Sequence, residues 1–414
     1  MGGAIHELIR LLFPICRSIT GEGVRRTLRI LREHIPLEIK EVPTGTRVFD
    51  WIVPKEWNIR DAFIEDPQGR KIVEFARSNL HVLNYSVPVK ATVPLEELKR
   101  HLYTLPEHPD WVPYKTSYYQ ENWGFCLSHR QFLALEEGDY RVVVDSTLED
   151  GHLRYGEYLL AGESKEEVLV STHVCHPSLA NDNLTGIATA TFLARYLTDR
   201  KRRFSYRFLF VPGTIGSITW LSLNQRSVAR IRHGLVLTGL GDTGNLTYKK
   251  SRRGNAEIDR VAQYVLKRRD PKSDIREFSP YGYDERQYCS PGFDLPVGRL
   301  SRTPYGEYAE YHSSADNLDF VNSDKLGDSF SAIVEMFEML ERNVKYRNLN
   351  PMCEPQLGKR GLYDEIGPHQ FAMLWVLSLS DGEHSILDIA EQSGIDFHSI
   401  YAAAEILKKF ELVV

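Results

Sequence analysis

Three side chains that bind metals fall within ten positions of one another: His173, His176 and Asp182, in THVCHPSLANDNLTG. Imidazole nitrogen and carboxylate oxygen together suit zinc, and the spacing His-x2-His-x5-Asp lets a single loop wrap an ion. Cys175 lies between the histidines. The plainer alternative is a loop whose Asp182 caps the next helix and whose histidines only hydrogen-bond.

The flanking residues say how such a loop is held. Val168 to Ser171 is a β-branched, apolar run that predicts a buried strand. Gly186 to Leu197 predicts a helix that is apolar almost all round and so is buried. Strand, polar loop and buried helix place the loop at the carboxyl end of a strand, where open α/β sheets bind ligands.

The same order repeats downstream. Tyr206 to Pro212 predicts a strand, followed by Gly213-Thr-Ile-Gly and a helix near Ile218. His233 to Leu240 predicts a third strand, ending at Asp242. Asn255 to Arg268 and Ser323 to Arg342 predict helices, and Leu295 to Leu300 a short strand. Between them lie two polar stretches: YGYDERQ, with Asp284, Glu285 and Arg286, and TPYGEYAEYHSSADNLDFV, with Tyr305, Glu307, Tyr308, Glu310, Tyr311 and His312. Alternating strands and helices predict a mostly parallel sheet flanked by helices.

Residues 1–50 and 140–346 read as one discontinuous α/β domain. Its first helices are Ala4 to Cys16 and Gly23 to His34, joined by RSITGEG. Residues 51–139 are dense in Tyr, Trp, Phe and Pro and read as a small inserted β-rich domain. Tyr346 to Pro355 reads as a linker. From about Asp364, within a domain spanning 351–414, three helical segments and Leu412-Val-Val read as a winged helix. From Pro351 onward four Lys/Arg face ten Asp/Glu, so a protein-contacting winged helix is favoured over a DNA reader. Its free face is expected to cover the α/β domain or a second subunit, which leaves a homo-oligomer open.

The 414 residues are 42% hydrophobic and 26% charged with net charge −5, which suits a globular protein and argues against nucleic-acid and membrane partners. No apolar run reaches the roughly 18 residues of a membrane span. Glu7 and Arg10 interrupt the N-terminal apolar stretch, which makes a poor signal peptide. Five scattered cysteines fit reduced thiols in the cytoplasm.

From about Glu166 to Val321 the chain resembles zinc exopeptidases of the bacterial leucine aminopeptidase type. His173, Asp182, Asp242 and His312 fall at four of that group's ligand positions. RSITGEG, VFDWIVPKEWNIRDA, TSYYQENWGFC, HVCHPSLANDNLTG, DERQYCSPGFDLPVG and RTPYGEYAEYHSSADNLDF further resemble a bacterial aminopeptidase-like family with an inserted domain and a C-terminal winged helix. Two departures bear on chemistry. Cys175 stands where the exopeptidases have the Asp that orients the first His, and His176 is a candidate to take over a ligand role. The Glu-Glu pair is missing, and Gly213 stands where the general base is expected.

The resemblance implies a zinc-dependent aminopeptidase-like hydrolase of a small peptide or aminoacylated metabolite. His173, Asp182 and Asp242 would bind one zinc, with Asp182 and His312 reaching a second. Glu285, Glu307 and Glu310 are the substitutes for the base. Asp284 or Glu285 is a candidate to hold a substrate's α-amine, against a surface ion pair with Arg286. Tyr305 and Tyr308 would line a pocket for a polar or sugar-bearing ligand, or pack a loop. Two other classes stay open: a metal- and ligand-binding pseudoenzyme, which Gly213 favours, and an interaction protein.

Overall fold

The structure, a computed structural model, describes residues 1–362 and 370–414. The chain forms two compact units, Met1–Ala332 and Ile333–Val414.

The first unit is built on an eight-stranded sheet. Its order is Glu38–Pro43, His152–Leu160, Ser205–Val211, Glu167–His173, Ile231–Leu237, Val297–Ser301, Thr247–Lys249 and Asp274–Arg276. The middle four strands are parallel to one another, and the strand next to them on each side joins them antiparallel. Glu167–His173 and Ser205–Val211 are buried at every residue, as their unbroken apolar runs require. Helix Thr185–Thr198 lies against Glu167–His173 and Ile231–Leu237. It comes so close that a Cβ on Gly186 would meet the Leu237 carbonyl oxygen at 2.4 Å. The helix therefore starts on the sheet itself, and the residues just before it, including Asp182, are drawn into the interior.

A separate antiparallel sheet has the order Lys71–Glu74, Glu56–Glu65, Asp139–Glu149, Val89–Pro94. Its core includes Ile64, Leu98, Phe125, Tyr140, Val142 and Val144. Strand Asp139–Glu149 pairs here and not with the large sheet, so the small sheet runs past the boundary at residue 139 that the sequence suggested. The strand alternates buried and open residues, the pattern of a sheet with one covered face, which serves either sheet equally well.

In the second unit, helices Gln370–Leu379, Ile386–Ser393 and Phe397–Lys409 accompany strand Lys345–Arg347, antiparallel to Asp381–Ser385. Ser385 and Asp388 form a capping box, Gly394 ends that helix at φ 68°, and Asp396 caps the next. Leu412 and Val414 share backbone hydrogen bonds with Leu349 and Arg347, so the expected linker from Tyr346 begins inside this unit. The expected start near Asp364 lies outside the described residues.

Candidate metal centre

The end of strand Glu167–His173 delivers His173, and a bend of Ala180–Leu184 with non-helical dihedrals at Asp182 and Asn183 turns Asp182 back toward it. Both are buried to 1% exposure. His173 Nε2 lies 2.8 Å from Asp182 Oδ1, and His312 Nε2 lies 3.1 Å from Asp182 Oδ2. His176 Nε2 lies 3.8 Å from the same Oδ2. One buried carboxylate thus faces three imidazoles.

Burial opposes ionisation of Asp182, but His176 and the hydrogen bonds of His173 and His312 outweigh it and hold the carboxyl well below its ordinary range. Burial pushes His176 down to about 3, helped by the facing His173, His312 and Arg17. Asp182 opposes that shift, but protonation of His176 stays disfavoured, which leaves the imidazole a lone pair to give. The ligand atoms of His173, His176 and Asp182 all lie within 4.8 Å of one another. A buried carboxylate facing three imidazoles, with no Lys or Arg among its hydrogen-bond partners in the described residues, is a donor set that fits zinc.

The structure does not bring Asp242 into this group. It is buried at the end of the neighbouring strand, but its carboxylate accepts from Asn181 Nδ2, Gly244 N, and Thr303 N and Oγ1 at 2.7–3.3 Å. Asp242 holds the loop through Asn181, whose Oδ1 in turn accepts from Gly241 N at 2.9 Å.

Several supporting residues escaped the sequence reading. Asp316, buried, accepts from the backbone N–H groups of Asn181 at 2.6 Å and Asp182 at 2.9 Å, and so fixes the turn that carries Asp182. Burial, with the nearby charge of Asp182, raises the Asp316 carboxyl to about 8 against the pull of those bonds. Its signal was the His-x-x-x-Asp spacing from His312. Arg17 in RSITGEG, read only as part of a turn, is buried and donates to the carbonyls of Leu12, His176 and Pro177 at 2.7–3.0 Å. Tyr114 packs its ring 5.1 Å from His176 and 5.0 Å from His312, and Tyr283 stacks on His173 at 4.7 Å. Nothing local marked these two. Cys175 is buried with its thiol pushed up to about 12 by burial; Sγ lies 3.5 Å from His176 Nδ1 and 3.8 Å from the Gly213 carbonyl.

Gly213 sits beside the group. A Cβ there would lie 3.1 Å from the Cβ of His173 and 3.7 Å from Asp284 Oδ2. Asp284 is fully buried; its Oδ1 accepts from Ser217 Oγ at 2.7 Å, while its Oδ2 has no hydrogen-bond partner. Burial raises its carboxyl to about 6, against the effect of His173.

Two of the other expected acids, Glu285 and Glu307, are committed elsewhere. Glu285 is fully buried and its Oε1 accepts from Lys249 Nζ at 2.9 Å, so a surface ion pair with Arg286 is ruled out for it. Asp284 is equally buried, and Arg286 is half-buried with its Nε unpartnered. Glu307 pairs with Arg276. Glu310 is half-buried, and its backbone carbonyl accepts from Ser313 in the turn before His312. Tyr308 stacks on Phe320 at 5.5 Å, and Tyr305 packs against Tyr281 and Tyr283.

A family model described as "Domain of unknown function (DUF4910)" matches residues 6–343. The chain belongs to this family. A winged helix-turn-helix model matches residues 344–414. A Clostridium acetobutylicum protein, provisionally named a polysaccharide biosynthesis protein with aminopeptidase-like domain, is 53% identical over 418 residues, covering 100% of this chain and 96% of the relative. A crystal structure of a provisionally assigned peptidase from that organism matches with TM-score 0.95 at 53% identity, over 100% of this chain and 96% of that one. A zinc aminopeptidase from Bacillus subtilis matches with TM-score 0.58 at 11% identity, over 81% of this chain and 94% of that one. That last likeness is one of fold: a mixed α/β sheet flanked by helices, in the manner of bacterial zinc aminopeptidases.

Proposed function

We propose that the chain is a zinc-dependent, aminopeptidase-like hydrolase acting on a small peptide or aminoacylated metabolite. The observation that carries this is the buried Asp182 carboxylate, one oxygen toward His173 and the other toward His312 and His176. His173, His176 and Asp182 would hold the ion, with His312 on the outer side of Asp182. Bound there, zinc would supply polarisation of a carbonyl oxygen and acidification of a coordinated water.

The remaining work falls to the chain. Asp316 and Arg17 hold the ligand loop by its backbone. Tyr114 and Tyr283 wall the histidines and keep water from their faces. Gly213 has no side chain to take a proton. Asp284 is the acid whose unpartnered oxygen faces the gap that Gly213 leaves beside His173. We assign it the proton transfer from attacking water to leaving amine, with Ser217 fixing its other oxygen. Five unpaired cysteines support a reducing compartment such as the cytoplasm.

Purified protein supplied with zinc should release free amino acid from a panel of aminoacyl amides, and chelation should stop it. Zinc binding without turnover of any of them would favour the second reading, a metal- and ligand-binding protein without hydrolysis, which the absent side chain at Gly213 supports.

A further inference from the structure

Lys249 and Arg299 are register partners on adjacent antiparallel strands, and both are buried, at 3% and 2% exposure. Like charges placed opposite one another destabilise a sheet, and burial sharpens the cost. Glu285 offsets one of them. Its Oε1 lies 2.9 Å from Lys249 Nζ but 3.9 Å from Arg299 Nη1, beyond hydrogen-bond length. One positive charge is left over, and it belongs to Arg299. Its Nε and Nη1 are buried with no hydrogen-bond partner. The guanidinium lies 5.2 Å from the ring centre of Tyr305, whose hydroxyl shares a hydrogen bond with it, and 6.0 Å from that of Tyr283. Rings attract a cation but accept none of its hydrogen bonds in the manner of an oxygen.

The place of this cation ties it to the chemistry. Tyr283 stacks on His173 at 4.7 Å, so one ring separates Arg299 from a member of the candidate metal group. The nearby Asp284 and Arg286 carry opposite charges, and Glu307 is held by Arg276. Neither arrangement gives Arg299 Nε or Nη1 an acceptor, although Glu307 and Glu285 lie within electrostatic reach of the guanidinium.

We propose that Arg299, backed by Lys249 and Glu285, is a subsite for a single carboxylate on the substrate. One carboxylate brings a single negative charge to the one uncompensated cation, whereas a phosphate would bring two charges into the same buried place; a second carboxylate on the same ligand stays outside the subsite. The carboxylate oxygens take the unused Nε and Nη1 donors, charge-assisted bonds of the strong kind. Half-buried Tyr305 is the ring that must turn aside to admit it. For the hydrolase this names an acidic substrate, and to that extent the inference rests on the proposed function.

The test is calorimetric titration of the full-length, zinc-loaded protein with succinate and with its uncharged analogue succinamide. Succinate should bind and succinamide should not. Arg299→Gln should weaken succinate at least tenfold while zinc content stays at the wild-type level. Lys249→Met should weaken it too, because Glu285 is then free to pair with Arg299. Equal binding of succinate and succinamide, or unchanged succinate affinity in Arg299→Gln, overturns the subsite. Should Arg299→Gln fail to fold, the wild-type comparison and Lys249→Met decide. Succinate selectivity in a protein that hydrolyses nothing supports the subsite and removes the hydrolase. Hydrolysis without that selectivity does the reverse.

Discussion

Asp182 Oδ2 and His312 Nε2 lie 3.1 Å apart although 130 residues separate them in the chain. The contact joins the loop after one central strand to a loop that follows another. His312 reaches it from a left-handed backbone, φ 55°, with Tyr311 stacked on its ring at 3.9 Å. A non-glycine residue held there marks a position that its surroundings over-determine.

Asp316 makes that geometry possible, and Asp316→Asn tests it. The amide keeps the volume but loses one acceptor for the N–H groups of Asn181 and Asp182. Supports of this kind are typically worth roughly 10–100-fold in metal affinity. Zinc affinity should fall by that factor, and the metal-free protein should melt lower by about 1–3 kcal/mol of stability. Competition titration and thermal melting measure the two effects.

Asp284→Asn should leave zinc content unchanged and lower kcat by roughly 10²–10⁴-fold, the usual cost of losing a positioned acid–base group. Gly213→Glu should restore or raise turnover by about 10²-fold in either background. His173 must give by a few tenths of an ångström to admit the new Cβ. Gly213→Ala controls for that shift and should gain nothing. If Asp284→Asn is fully active, the proton acceptor lies elsewhere.

Thiol labelling follows from burial. Cys16, Cys126 and Cys175 are pushed up to about 12, Cys289 is also raised, and Cys353 is exposed. A thiol reacts as thiolate, so at pH 8 half-buried Cys16 and buried Cys126 and Cys175 stay protonated and inert, and Cys289 is shielded by burial. Iodoacetamide should modify the native protein once, at Cys353, and the denatured protein five times, as peptide mass mapping would read. Fast labelling of Cys175 would mean a more open ligand loop.

The winged helix should leave DNA alone. With four Lys/Arg against ten Asp/Glu from Pro351 onward, the segment repels phosphate. The full-length protein should show no salt-sensitive shift of a duplex at physiological salt. Micromolar binding that weakens steeply with salt would contradict this.

Where one residue's pattern repeats its neighbours', the sequence was readable. Helix Ser323–Arg342 matches its expected limits, because twenty residues of amphipathic period leave little choice. The strand end carrying His173 and the buried helix after Asp182 were legible for the same reason. Asp242 was legible as an acid at a strand end, but not as one already satisfied by Asn181 and Thr303, since that depends on where another loop lies. Glu285 sits in a four-residue helix too short to carry a period, and its burial against Lys249 is a tertiary fact. Arg17 shows the limit most plainly: a charged residue in a turn signals solvent, yet here it stitches together loops 160 residues apart.

The central claim is that His173, His176 and Asp182 hold zinc. The direct measurement is elemental analysis of purified protein after zinc-supplemented expression, beside His173→Ala and Asp182→Ala. The account predicts about one zinc per chain in the wild type and little in either variant. A wild-type protein that is folded and free of zinc, or variants that keep the metal in full, would contradict it.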